Sequence, residues 1–194
     1  MNKLLFSLII GFALLASCNE GTIVEPEDPA IQLAIDLEEI DQFLIDNGYD
    51  PATVDTTESG VRYIIIDEGN TMYDSLSIDE SDIVDFDFIG RLTDGTLFDT
   101  TIESVAMEDE DIFNEDRVYV PTLMNYSETG WTIRNRFIDG FVDGIAVTFN
   151  KVHVGAHILI VFPSGLGYGA AVRGPIPANS VLTFELFPVR VDKQ

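Results

Sequence analysis

The sequence predicts an α+β fold in which strands outnumber helices. Three observations carry this. Apolar, β-rich runs recur at residues 60–66, 82–92, 97–99, 158–162 and 181–186, each bounded by glycine, proline or acidic turns. Helical spacing is confined to residues 31–44 and 137–147. A long loop shaped by glycine and proline, residues 163–180, joins the last two strands.

The chain has 194 residues, enough for one domain and a short extension. With 46% hydrophobic residues it can bury a core. Its net charge of −24, from 34 acids against 10 bases, excludes nucleic acid as a partner, because a phosphate backbone would be repelled.

Residues 1–17 run from Met1-Asn2-Lys3 through an apolar stretch, Leu4 to Leu15, to Ala16-Ser17. A basic start, a short apolar centre and small residues before a cut site predict a secretory signal. The apolar stretch is too short to span a bilayer as a helix. Leu15-Ala16-Ser17-Cys18 resembles a bacterial lipobox, which implies cleavage before Cys18 and lipidation of that residue. The other reading is a plain signal peptide with an incidental cysteine. A lipidated Cys18 is consistent with the lack of a disulfide, since the chain has no second cysteine. The acidic, proline-bearing residues 18–29 then read as a tether.

In residues 31–44, Ile31, Ala34, Leu37, Ile40, Phe43 and Leu44 fall at intervals of three and four. Asp28 is placed to cap, Pro29 to start and Asn47-Gly48 to stop this helix. Asp36, Glu38, Glu39 and Asp41 are expected on its solvent face. Residues 30–59 are thus a helical extension, with packing on its own domain favoured over dimerisation or spacing. The folded domain proper is expected over residues 60–194. Phe86, Phe88 and Leu92 share parity and so one strand face. Thr93-Asp94-Gly95-Thr96 predicts a turn between two strands.

Residues 101–136, which the family resemblance given below implies to be an insert, form an acidic stretch. It carries the acidic cluster Glu108-Asp109-Glu110-Asp111, a candidate strand at 117–124, a turn at 125–130 and the only tryptophan, Trp131. The cluster lacks the spaced pattern of a calcium loop, so a solvated acidic loop is expected. In residues 137–147, Ile138, Phe141, Val142 and Ile145 mark a short helix packed across the sheet. His153 and His157 have no cysteine partner, and surface histidines are a better reading than a zinc site. No Ser/His/Asp or Cys/His arrangement is visible. Gly165, Gly167 and Gly169 precede no helix, so a dinucleotide loop is excluded. No metal or cofactor is expected.

Three motifs in one order carry a family resemblance. The first runs from Phe88-Ile89-Gly90-Arg91-Leu92 through Asp94-Gly95 to Phe98-Asp99-Thr100. The second is Phe137-Ile138-Asp139-Gly140-Phe141-Val142-Asp143-Gly144. The third is Pro163-Ser164-Gly165-Leu166-Gly167-Tyr168-Gly169 followed by Ile176-Pro177-Ala178-Asn179-Ser180 and Leu182-Thr183-Phe184. Together they resemble the FKBP-type peptidyl-prolyl isomerases.

The resemblance implies a twisted antiparallel sheet wrapped over one short helix, and a pocket of Phe88, Phe98, Asp99, Phe137, Ile138, Phe141, Tyr168, Ile176 and Phe184. Phe141 would be its floor, with Phe98 and Phe184 as walls. Tyr168 would donate its hydroxyl to a substrate carbonyl, and Ile138 its backbone N–H. Asp99 would be the polar group near the twisting amide. Phe86 and Leu182 are assigned to the core. Phe141 stands where the family has tryptophan and Phe88 where it has tyrosine, which implies retained but altered activity and weaker binding of tacrolimus-type macrolides.

The expected partners are proline-containing polypeptides and, through Cys18, a lipid bilayer. The expected location is the bacterial cell envelope, on the periplasmic or outer surface. The functional expectation is an isomerase assisting exported proteins. The competing readings are a non-catalytic peptide-binding chaperone and a structural lipoprotein.

Overall fold

The computed structural model describes residues 28–194 apart from 74, 75, 80, 128, 129 and 134–137. Residues 1–27, which include the expected signal, Cys18 and most of the expected tether, lie outside the described residues. The chain begins with helix α1 (Pro29–Asp46), where the Asp28 side chain accepts from Ala30 N at 3.0 Å. A proline in the first turn has no N–H to lose there, so cap and proline act together.

Strands β1 (Asp55–Thr56), β2 (Arg62–Asp67), β3 (Ile83–Leu92) and β4 (Leu97–Thr100) follow. Next come the short helix α2 (Glu103–Ala106), strands β5 (Thr122–Ser127) and β6 (Gly130–Ile133), and helix α3 (Asp139–Thr148). Strands β7 (His157–Phe162) and β8 (Leu182–Asp192) close the sheet. No helix among the described residues is long and apolar enough to cross a membrane.

All pairings are antiparallel, in the order β1-β2-β7-β8-β3-β5-β6. The free edge of β3 is shared: Ile83 to Phe86 pair with β5, and Ile89 to Arg91 pair with β4. Residues 122–133 therefore add a hairpin to the main sheet. Residues 117–121, expected to begin a strand, lie before it. The hairpin turn 93–96 is held by Thr96 N–H donating to Asp94 at 2.9 Å, which keeps that carboxyl below its usual range.

The core follows from strand parity. Val84, Phe86 and Phe88 of β3 alternate inward, as do Leu182, Phe184 and Leu186 of β8. Helix α3 packs Phe141 and Ile145 against them. Strand β7 instead is apolar at nearly every position and buried on both faces. Its Ile160 faces α3, while Val161 faces Ile40 and Leu44 of α1. A strand covered on two sides needs no polar face, which is why this run reads as continuous.

Helix α1 is therefore packed onto the domain, opposite α3. Its buried positions are Asp36, Ile40 and Leu44. Ile31 and Ala34, placed on the packed face by spacing, are exposed. The expected solvent face holds at Glu38, which is exposed, and fails at Asp36, which is buried. Between these limits Glu39 accepts from the Thr93 hydroxyl, and Asp41 pairs with Arg62 at 3.3 Å. Polar partners in the 163–169 loop draw Asp36 inward.

Candidate functional site

An open cavity of about 430 Å³ lies beside the crossing of β3, β4 and β8. Of the nine pocket residues expected, seven line it: Phe88, Phe98, Asp99, Ile138, Tyr168, Ile176 and Phe184. Phe137 is outside the described residues. Phe141 is fully buried and does not line the cavity. It sits one layer behind, with its ring centroid 4.6 Å from Phe184 and 5.6 Å from Phe88.

The walls are set by backbone geometry. Strand alternation brings Phe88 and Phe184 to one face of adjacent strands, their rings 5.9 Å apart. Phe98 meets Phe184 edge-on at 5.3 Å, an arrangement favoured by the ring quadrupoles. Gly90 makes this convergence possible. A Cβ there would lie 2.6 Å from the Phe98 ring and 2.9 Å from Phe184. The pairing of β3 with β4 is also irregular at Gly90/Arg91, a bulge that re-aims the strand.

The polar edge is Asp99, whose side chain is about two-fifths exposed. Its Oδ1 accepts from Thr100 N at 2.9 Å and from Arg117 Nη1 at 2.8 Å. Arg117 Nη2 donates to Thr100 O at 2.9 Å. Its guanidinium lies 5.0 Å over the Tyr119 ring, which stacks on Phe113. Asp99 itself lines the cavity. Thr100 and Thr101 fix the exit of β4, their hydroxyls bonding Phe88 O and Asp87 Oδ1 at 2.8 Å each.

Sequence reasoning missed Arg117 and the mouth residues Val118 and Val120, which are exposed yet line the cavity. One signal was available: Arg117 is the only base between Arg91 and Arg134, set in an acidic insert. An exposed pair contributes about 0.2–1 kcal/mol. Arg117→Gln is therefore expected to cost less than about 1 kcal/mol in stability, and at most about fivefold in any activity that depends on Asp99 orientation. Urea titration and turnover of a proline peptide check the two.

The remaining expected residues fall as follows. His157 bonds Glu185 at 2.7 Å and stacks on Phe187, on the sheet surface away from the cavity. Among the described residues no group of three His, Cys, Asp or Glu could hold a metal.

An antiparallel sheet curled over one helix, with an aromatic cleft and one carboxylate at its rim, defines an FKBP-like domain. The chain belongs to the FKBP-type peptidyl-prolyl cis-trans isomerase family, whose model matches residues 75–187. It is similar to the FKBP-type peptidyl-prolyl cis-trans isomerase FkpA of Aeromonas hydrophila, 28% identical over 140 residues. That match covers 72% of this chain but only 41% of the relative, so the chain spans about two-fifths of its length.

Two crystal structures share the fold. FkpA from Escherichia coli superposes with a TM-score of 0.51 at 22% identity, covering 84% of this chain and 62% of that one. A peptidyl-prolyl isomerase from Pseudomonas syringae pv. tomato gives 0.51 at 19% identity, covering 86% and 97%.

Proposed function

We propose that this chain catalyses cis–trans isomerisation of Xaa-Pro bonds in polypeptides, using the cavity between Phe98, Tyr168 and Phe184. The observation that carries the reading is the pairing of aromatic walls with a single carboxylate, Asp99, at their rim. Rotation about the amide must overcome about 18–20 kcal/mol of resonance. The uncatalysed reaction takes roughly tens to hundreds of seconds. A twisted amide has less charge separation than a planar one. A cleft with apolar walls therefore favours the twisted form over the planar ground state, which lowers the barrier without nucleophile or metal.

Phe88, Phe98 and Phe184 would hold the proline ring, with Phe141 supporting Phe88 and Phe184 from behind. Tyr168 and the Ile138 N–H would take substrate carbonyls, and Asp99 would orient the chain next to the twisting bond. Ile176 closes the far side. With Phe141 set back, tacrolimus-type macrolides would bind weakly.

The proposed setting is the bacterial envelope, with the chain exported and lipidated at Cys18. Cys18→Ser is expected to move the protein from the membrane pellet to the soluble fraction of a bacterial lysate. Retention in the pellet would remove the anchor from this account.

The test is refolding of an exported client whose slow phase is a proline isomerisation. An amount of protein far below the client's should speed that phase. Acceleration only at stoichiometric amounts would favour the second reading, a non-catalytic chaperone, which the exposed Val118 and Val120 at the mouth support.

A further inference from the structure

The carboxylate of Asp36, in the middle of α1, is 1% exposed. Its Oδ1 accepts from Gln32 Nε2 at 2.6 Å. Its Oδ2 accepts from the backbone N–H of Ser164 at 2.8 Å and from the Ser164 hydroxyl at 2.6 Å. No ion pair of Asp36 is formed among the described residues. A buried carboxylate without a cation is costly unless donors converge on it, and here two of the three come from one residue 128 positions away.

Ser164 is equally buried and opens the 3-10 turn Ser164–Leu166, directly after β7. Its carbonyl accepts from Gly167 N and Gly169 N, both at 2.9 Å. Those glycines flank Tyr168. Gly169 O then accepts from Asn179 N at 2.7 Å, closing the return of the loop toward β8. The N–H of Ser164 is thus held by α1, and its carbonyl by the two residues on either side of the cavity tyrosine. Apolar packing of Ile40 and Leu44 against Val161 of β7 and Val181, the residue just before β8, anchors the same helix at both ends of the loop.

We propose that Asp36 is a positioning residue for the cleft: α1 fixes the Tyr168 loop through the Ser164 turn, so that helix and site form one unit. The proposal rests on the isomerase reading only for its consequence in turnover; the coupling of helix to loop stands apart from it. Without the carboxylate the loop keeps its chain path but loses the contact that fixes the start of the turn. Tyr168 then samples more positions, and substrate carbonyls meet its hydroxyl less often. The effect falls on KM more than on kcat, since an ordered loop is needed first for binding.

The experiment uses the full chain with Asp36→Asn, and Ser164→Ala as a milder second variant that keeps the backbone bond. Amide hydrogen exchange is followed by NMR, with the β7–β8 ladder as internal reference for folding. Asp36→Asn is expected to speed exchange at Gly167 and Gly169 at least tenfold while the ladder amides change little, and Ser164→Ala to act in the same direction but less. In peptide turnover, Asp36→Asn should raise KM several-fold, and this loss should shrink in a Tyr168→Phe background. Unchanged exchange at the two glycines, or an equal rise throughout the sheet, overturns the proposal. So does a loss in turnover that is the same with and without the Tyr168 hydroxyl. A wild-type chain with no turnover defeats the isomerase reading, and the exchange result then decides the coupling alone.

Discussion

Phe184→Ala is expected to lower stability by about 3–5 kcal/mol and to abolish the cleft. Phe184 is 4% exposed and stands at the centre of the aromatic cluster. Its ring centroid is 4.6 Å from Phe141, 5.3 Å from Phe98, and 5.9 Å from both Phe88 and Phe162. Truncation removes one partner from four ring contacts and leaves a void between cavity and core. The surrounding rings sit on β3, β4, β7 and α3, which the sheet ladders hold apart, so collapse into the void is limited. In urea the midpoint should fall by about 1 M or more with an unchanged slope. A loss below about 1 kcal/mol would show that the ring is a mere wall of the cleft rather than a part of the core.

The second large effect is expected at Gly140. In a helix, alanine is ordinarily better than glycine by about 1 kcal/mol. Here the sign should reverse. A Cβ at Gly140 would lie 2.5 Å from two ring carbons of Phe162, a residue with no exposed surface. That ring is packed on Phe184 and cannot swing aside, so α3 must lift off β7 or the strand must bend. Overpacking of this kind costs about 1–3 kcal/mol beyond the propensity gain. Lifting α3 would also withdraw Phe141 from beneath Phe184.

Gly144 provides the contrast. Its added Cβ would first meet Ile160 Cδ1 at 2.7 Å, the end of a flexible side chain. Gly144→Ala should therefore cost clearly less than Gly140→Ala in the same urea titration. Equal costs, or a stabilised Gly140→Ala, would contradict the close helix–strand approach.

Much of this was legible in the sequence because it is local. Asp28, Pro29 and Asn47-Gly48 set the ends of α1 through capping and turn chemistry. Alternation at Phe86 and Phe88 fixed the inner face of β3. The spacing of Ile138, Phe141 and Ile145 found α3 within a residue or two.

What escaped reading depends on partners brought from far along the chain. Asp36 looks like a solvent residue until Ser164 arrives to donate to it. Arg117 lies in an acidic loop, and its role is set by Asp99 in another strand. Of the β5–β6 hairpin the first strand and the turn were legible in part, but its second strand and its place in the sheet were not, because its pairing edge belongs to β3, 36 or more residues earlier by the Phe86↔Thr122 register. Phe141 was assigned to the pocket floor by family position. The packing of Phe88 and Phe184 over it puts it a layer deeper.

The most direct test is turnover of a short Xaa-Pro-Phe peptide by the chain from Asn19 onward, beside Asp99→Ala and Tyr168→Phe. The account predicts isomerisation well above background that falls in both variants while their sheet signatures stay intact. A folded wild type at the background rate would contradict it. So would variants as fast as wild type, which would remove Asp99 and Tyr168 from the site.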